Sequence, residues 1–205
     1  MPFTFVPGQP MIGALTGTHG AGKEETAKFF QQCGFKHFNA RKHVLEPAAT
    51  ARGRQIDRDG LNQTASELRL QHGPSYVAFR LFELAQEYGH SAIVESVYNE
   101  PEITRMRATA AAANTPFFLL AIDADIRTRY DRIKTRMSAT DFLTFEQFCA
   151  KQEREMVNED PNKHNLLACQ RLADAPVIMN NGTLEQFHEA LRATCITYLG
   201  FPALL

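Results

Sequence analysis

One stretch limits what this chain can fold into more than any other: Met11-Ile-Gly-Ala-Leu-Thr-Gly17-Thr18-His19-Gly20-Ala21-Gly22-Lys23-Glu24, an apolar run, a glycine-rich turn and a lysine that opens a helix. Gly17-x-x-x-x-Gly22-Lys23 has the Walker A spacing. Glycines there let successive backbone N–H groups point inward at a phosphate, and the lysine adds a mobile cation. The helix that follows, roughly residues 22 to 33, carries Ala27, Phe30 and Cys33 on one side and brings its positive dipole end to the same place. A plain flexible turn would not need a buried-strand signal before it and an amphipathic helix after it. Gly17, Thr18, His19, Gly20, Ala21, Gly22, Lys23, Glu24 and Glu25 are therefore the candidate phosphate-binding residues.

One letter departs from that pattern. The position after the lysine, usually a Ser or Thr that ligates magnesium, is Glu24. An acid suits a helix N-terminus, but it cannot stand in for a neutral hydroxyl without adding charge beside a triphosphate. Either the metal is held through water or Glu24 turns away.

The composition permits one substantial core in 205 residues, 44% of them hydrophobic. With 22 basic against 23 acidic residues there is no global electrostatic footprint for nucleic acid. Cys33, Cys149, Cys169 and Cys195 lack metal-binding spacing and suit buried positions in a reducing compartment, so a cytoplasmic protein without disulfide or structural zinc is expected. Residues 1–10 hold three prolines, no basic start and no long apolar segment, and read as a loose leader rather than a signal peptide or an anchor.

Along the chain, apolar strands are expected at 11–16, 35–39, 92–97, 117–123 and 176–179, with helices between them. Residues 41–52 read as a helix interrupted near Pro47, residues 52–60 as a loop, 62–72 and 75–88 as helices, 101–113 and 126–137 as two more. Thr144 caps a helix to about Val157, residues 166–172 form another, and Thr183-x-x-Gln186 is a capping box for the last. Strands alternating with helices imply parallel pairing and a three-layer α/β/α sandwich, whose ligands gather at the carboxyl ends of the strands.

Those ends carry Asn39, Arg41 and Lys42, then Glu95 to Asn99, then Asp123 and Asp125, then Asn180-Asn181-Gly182. Glu95 is the most pointed. A carboxylate near the end of an apolar strand needs a cation or donor, and hydrated magnesium or Lys23 would serve. Arg129, Arg132 and Arg136 form a stripe beside the apolar face of their helix and lead into a polar excursion where a lid, about residues 137–145, would sit. Phosphoryl transfer needs cations on the transferring group, which Arg132 and Arg136 could supply. Arg41, Arg58, Arg69 and Arg80 are candidates for an acceptor's phosphate, two of them being expected to serve. Asn162-Lys163-His164-Asn165 follows no strand and lacks the aspartate of a guanine-reading motif.

With these residues the chain resembles the nucleoside monophosphate kinase branch of P-loop proteins, including dephospho-coenzyme A kinases and a related group of small kinase-like ATPases. The similarity runs from Met11 to the terminal helix. It is carried by Gly17-Thr-His-Gly-Ala-Gly-Lys-Glu, by Glu67-Leu-Arg69-x-x-His72-Gly-Pro74 and by Asp123-Ala-Asp-x-Arg-x-Arg-Tyr-x-Arg132-Ile-x-x-Arg136. Asn181-Gly182-Thr183-Leu184 resembles the loop those enzymes place near adenine. The resemblance implies a five-stranded sheet of order 2-3-1-4-5, ATP and Mg2+, a small helical lid, and an acceptor site over the helices after the second strand. Where the family has Asp-Gly-x-Pro-Arg, this chain has Glu95-Ser-Val-Tyr98-Asn99, so a standard adenylate or uridylate kinase is not expected. The expectation is a phosphotransferase with Lys23, Glu95, Arg132 and Arg136 catalytic, Glu95 reaching the metal through water, and Arg41, Arg69, Arg80 and Tyr98 around a small acceptor such as a (deoxy)nucleoside monophosphate. A dephospho-coenzyme A kinase-like enzyme and a slowly hydrolysing ATP-binding regulator are the alternatives. No membrane or nucleic-acid partner is expected, and a homodimer is compatible with the sequence.

Overall fold

A computed structural model describes residues 5–135, 144–160 and 163–202. The first strand, β1 (Ile12–Gly17), is buried at every residue, as a central parallel strand covered on both faces must be. It pairs in parallel with β3 (Ala92–Val97) on one side and β4 (Phe117–Asp123) on the other. β2 (Lys36–Phe38) and β5 (Ile178–Met179) are short edges. The sheet order is β2-β3-β1-β4-β5, the order the resemblance implied.

The period-2 alternation of the strands divides the core between two layers. On one face Ile12, Ala14, Val94 and Leu119 pack with Leu68 of α3 (Arg58–His72), Leu81 of α4 (Tyr76–Tyr88) and Met106 of α5 (Glu100–Ala112). On the other, Leu15, Ile93, Phe118, Leu120 and Ile122 meet Phe30 of α1 (Lys23–Gln32) and Leu191 of α9 (Leu184–Leu199). Residues 5–10, read from sequence as a leader, touch this second layer where the ring of Phe5 lies edge-on to Phe201 at 5.2 Å.

Several boundaries differ from the sequence reading. α3 begins at Arg58 rather than Asn62, because the Asp57 side chain accepts the Gly60 N–H and caps the helix. The segment expected to be a helix broken near Pro47 is a π-helical run, Arg41–Leu45, passing directly into α2 (Glu46–Ala51), with Pro47 in the first turn of α2. α5 is opened by a capping box between Asn99 and Glu102. α6 (Ile126–Thr135) packs Tyr130 and Ile133 on Phe148 of α7 (Phe145–Met156), and α8 (Leu166–Arg171) completes the first layer through Cys169. The expected lid, up to residue 143, and Arg136 lie outside the described residues.

At Gly13 a methyl group would come within 2.3 Å of the Phe118 ring and 2.4 Å of Ile93 Cδ1, both fully buried. Gly13→Ala should therefore destabilise the fold by about 1–3 kcal/mol through overpacking. Thermal unfolding checks this, and an unchanged Tm would mean that the core relaxes around the methyl.

Candidate functional site

The end of β1 runs into the glycine loop, and two glycines there are dictated by contact. Gly17, at φ 138°, brings its α-carbon so close to β4 that a β-carbon would lie 2.0 Å from the Ile122 carbonyl oxygen. Gly22, at φ 113°, faces the Asn180 amide, whose nitrogen would lie 2.4 Å from a β-carbon. Between them Lys23 folds back so that Nζ donates to the Gly17 and Thr18 carbonyls at 2.7 and 2.8 Å. Burial lowers its pKa to about 8, a shift that the carboxylates of Glu95, Glu155 and Asp123 partly offset. Thr18 is fully buried and donates its hydroxyl to Asp123 Oδ1, which also accepts the Ala124 N–H at 2.8 Å.

Glu24 stands 69% exposed with Lys28 at 3.9 Å, so it has turned along the helix surface. The Thr26 hydroxyl donates back to the Gly22 carbonyl at 3.2 Å. Neither replaces the missing hydroxyl ligand. Among the described residues no three His, Cys, Asp or Glu side chains group to hold an ion directly, and the Glu95 carboxylate at the cleft fits a magnesium held through water.

Glu95 reaches the site through an irregularity that the sequence pattern hides. β1 and β3 are in register from Ile12↔Ala92 to Ala14↔Val94, but Thr16 lies opposite Val97, so β3 carries one extra residue. This bulge puts Ser96 at φ 71° and lets the neighbours Glu95 and Ser96 both line the cleft instead of pointing to opposite faces. The Thr16 hydroxyl donates to the Val97 carbonyl at 2.8 Å and pins the strand beyond the bulge. Glu95 Oε2 is 3.4 Å from Nε2 of His37 on β2.

The resulting cleft measures about 1060 Å³ and is lined by His19, Gly20, Gly22, Lys23, Glu95 and Arg132 among others. Arg132 donates Nη2 to Asn180 Oδ1 at 3.2 Å, while its buried Nη1 has no hydrogen-bond partner. Arg129, from the same stripe, is a different kind of residue. Only 5% exposed, it donates to the carbonyls of Ala124 and His19 and to Gln152, with Asp123 at 3.4 Å. It ties the loop, the end of β4 and α7 together.

A second cavity of about 350 Å³ shares Ser96 and Tyr98 with the cleft and extends between α3, α4 and α5. Ala40, Leu45, Ala65 and Val77 give it an apolar wall, and Arg69 and Glu102 face it. Burial pushes the Glu102 carboxyl up to about 7, although its Oε2 accepts the N–H groups of Tyr98 and Asn99. Tyr98 stacks on His164 with ring centroids 4.4 Å apart, and burial raises its hydroxyl to about 12. His164 is pushed down to about 4 by the same burial.

Of the residues singled out from sequence, the structure brings together the loop, Lys23, Glu95, Tyr98, Arg132 and Gly182 at the cleft and Arg69 at the second cavity. Three others have partners elsewhere. Arg41 pairs with Glu46 at 2.8 Å on the surface. Arg80 is held by Glu83 and Glu87 of its own helix. Asn181 accepts the Asp125 N–H at 2.8 Å, and its neighbour Asn180 is the residue that lines the cleft and holds the Ala21 carbonyl. His37, Gln152 and Glu155 were not legible at this cleft, whereas Asn180 belongs to the turn read at the end of the last strand.

No family model matches the chain. It is 27% identical over 183 residues to a UPF0200/UPF0201 protein of Archaeoglobus fulgidus, covering 87% of this chain and 53% of that one, so it spans about half the length of that relative. A UPF0200 protein of Thermoplasma acidophilum is 29% identical over 178 residues, covering 87% of this chain and 91% of the other. Among solved structures, TT1252 of Thermus thermophilus superposes with a TM-score of 0.55 at 19% identity, over 90% of this chain and 96% of that one. The Mycobacterium tuberculosis APS kinase CysC, in complex with AMPPNP and APS, superposes with a TM-score of 0.51 at 16% identity, over 90% of this chain and 97% of that one. The fold is that of P-loop kinases.

Glu102 gives the site a pH signature. An unfolded glutamate titrates near 4.5 and this one near 7, so between those values the native state binds the extra proton. Stability should fall as pH rises through that window, because the unfolded state ionises first. Glu102→Gln keeps an acceptor for the backbone N–H groups and removes the titration. The stability of wild type relative to this variant should drop by on the order of 3 kcal/mol between pH 4.5 and 7.5 in urea titrations. A constant difference across that range would refute the assignment.

Proposed function

We propose that this protein is an ATP- and magnesium-dependent phosphotransferase that moves a γ-phosphoryl group to a small phosphorylated acceptor. The observation that carries the reading is the pair of under-satisfied cations at one cleft. Among the described residues Lys23 has hydrogen bonds to loop carbonyls and no ion pair, at a lowered pKa, and Arg132 has a buried Nη1 without a hydrogen-bond partner. Both gain what they lack from an anion lying across the loop.

In this reading the backbone N–H groups of residues 18–23 and the α1 dipole cradle the β- and γ-phosphates, with Lys23 moving from its loop carbonyls to their oxygens. Arg132 neutralises charge on the transferring phosphoryl, and Arg136, four residues on in the sequence, is proposed for the same task. Glu95 holds the water shell of the metal or orients the acceptor hydroxyl. Magnesium, when bound, would neutralise charge on the β- and γ-oxygens. Gly182 and Asn180 border the adenine side of the cleft. The acceptor enters the second cavity, its anionic group toward Arg69 and its reactive hydroxyl at the Ser96–Tyr98 junction. A (deoxy)nucleoside monophosphate is the leading candidate and a dephospho-coenzyme A-like molecule the next.

A second reading has its own observation. With Arg41 and Arg80 paired elsewhere, Arg69 is the one guanidinium lining the acceptor cavity among the described side chains. A regulator that hydrolyses ATP slowly needs no more than that. ADP release measured with nucleoside monophosphates, dephospho-coenzyme A and water alone separates the two. Stimulation by one acceptor supports the kinase, and none by any supports the regulator.

Lys23→Ala should reduce ADP release to background without lowering the Tm, since it removes a buried cation whose charge the free protein holds at a cost. Full turnover in this variant would sink both readings. Wild-type affinity for ATP, measured calorimetrically, should also weaken above about pH 8, where the free protein's Lys23 loses its proton before binding.

A further inference from the structure

His37 occupies the middle of the short edge strand β2, opposite Ile93 of β3. Strand alternation turns Lys36 and Phe38 to the other side, where the Lys36 ammonium lies 5.0 Å from the Phe38 ring and 4.4 Å from that of Tyr88. His37 thereby shares a face with Ile93 and, two residues further on, with Glu95. Its side chain is 12% exposed and that of Glu95 23%, and the two approach to 3.4 Å between Nε2 and Oε2.

Two features separate this contact from an ordinary packed histidine. Nε2 is sealed from solvent yet makes no hydrogen bond, so a buried donor or acceptor stands beside the carboxylate without being aligned to it. The carboxylate, for its part, sits on the bulge of β3, immediately before Ser96 in the left-handed region, where its direction is set by a local backbone irregularity and not by a regular ladder. A carboxylate on such a backbone needs a second anchor to hold one orientation. His37 is the cation-capable side chain within 4 Å of it among the described residues.

We infer that His37 is the positioning residue for Glu95: its Nε2, 3.4 Å from Oε2 and without another hydrogen-bond partner, is the group that fixes that oxygen from the β2 side when it donates, leaving Oε1 available to the cleft. This deepens the proposed function and rests on the role given there to Glu95. A carboxylate that orients water or an acceptor hydroxyl must keep its lone pairs in place through the reaction, and supporting groups behind such ligands typically contribute roughly 10- to 100-fold. Lys23 cannot provide that support, because its ammonium is engaged by the Gly17 and Thr18 carbonyls and is needed by the phosphates.

The test compares His37→Ala, His37→Asn, His37→Gln, Glu95→Gln and the double variant H37A/E95Q in the full chain. It follows ADP release from Mg·ATP with water or the most stimulating acceptor of the panel, and melting temperature as the control for folding. His37→Ala and His37→Asn, whose amide is too short to reach, should both lower kcat roughly 10- to 100-fold while KM for ATP stays within about twofold. Glutamine places an amide nitrogen near the imidazole Nε2, so His37→Gln should recover to within about threefold of wild type. On the Glu95→Gln background, His37→Ala should change kcat by less than about twofold, since it acts through a carboxylate no longer there. Losses that multiply in the double variant, a wild-type kcat for His37→Ala beside an impaired Glu95→Gln, or a His37→Gln as slow as His37→Ala would each overturn the inference and leave the role of Glu95 standing. Wild-type turnover by Glu95→Gln would remove that role and this inference with it.

Discussion

The contact between the Gly17 backbone and the Ile122 carbonyl governs the geometry of the whole cleft. β1 and β4 stay paired through Gly17↔Ile122, the last residue of β1, only because no side chain intervenes there. That pairing fixes where the loop departs, which fixes the position from which α1 must start, which returns Lys23 to the carbonyls of Gly17 and Thr18. Thr18 then meets Asp123 one residue past Ile122, so the side-chain bond reinforces what the backbone approach began. Arg129 closes the arrangement from α6 by holding the His19 carbonyl.

Against this rigid half stands a β3 strand that breaks register at the same height. The bulge at Glu95 and Ser96 has a consequence for charge. A strictly alternating strand would send one of the two residues into the layer of α4 and α5, where Val97 now sits with Ile103 and Met106. The extra residue returns Val97 to that layer and keeps both polar neighbours at the cleft. Three carboxylates contributed by different elements, Glu95 from β3, Asp123 from β4 and Glu155 from α7, act on the buried Lys23 ammonium, and burial still lowers its pKa.

Much of this was legible in the sequence because it depends on local chemistry. The apolar runs of β1 and β4, the glycine stops after α1 and α4, the cap at Thr144 and the capping box at Thr183 depend on neighbours a few residues away, and they occur where expected. The start of α3 was missed because Asp57 caps from inside a polar, glycine-punctuated segment that reads as loop. The lining of the cleft was legible where one strand end or one motif specifies it, as at Lys23, Glu95 and Arg132. It was illegible where two distant segments decide together. Arg41 and Arg80 carry the same charge as Arg69, and only the placement of Glu46, Glu83 and Glu87 says that two of the three are already paired. Arg129 and Arg132 are three residues apart on one helix. What separates a buried tie from a cleft-lining cation is the presence of Gln152 and Asp123 beside the first and of Asn180 beside the second.

The two cavities differ in charge in a way that bears on what each can hold. Lys23 and Arg132 both line the cleft, the first bonded to the Gly17 and Thr18 carbonyls and the second with a buried Nη1 that has no hydrogen-bond partner, so among the described residues its cations outnumber their charged partners there. At the second cavity a single guanidinium stands on α3 opposite a Glu102 carboxyl that titrates near neutrality. An ionised Glu102 would repel a dianion and a protonated one would not. It offers a hydrogen-bond donor in the second case and an acceptor in the first. The second cavity thus changes charge by proton uptake at one buried carboxyl, and the cleft by proton loss from one buried ammonium. Between about pH 7 and 8 both groups are ionised, the carboxyl as acceptor and the ammonium as cation, and in that window the two ends present their opposite charges at once.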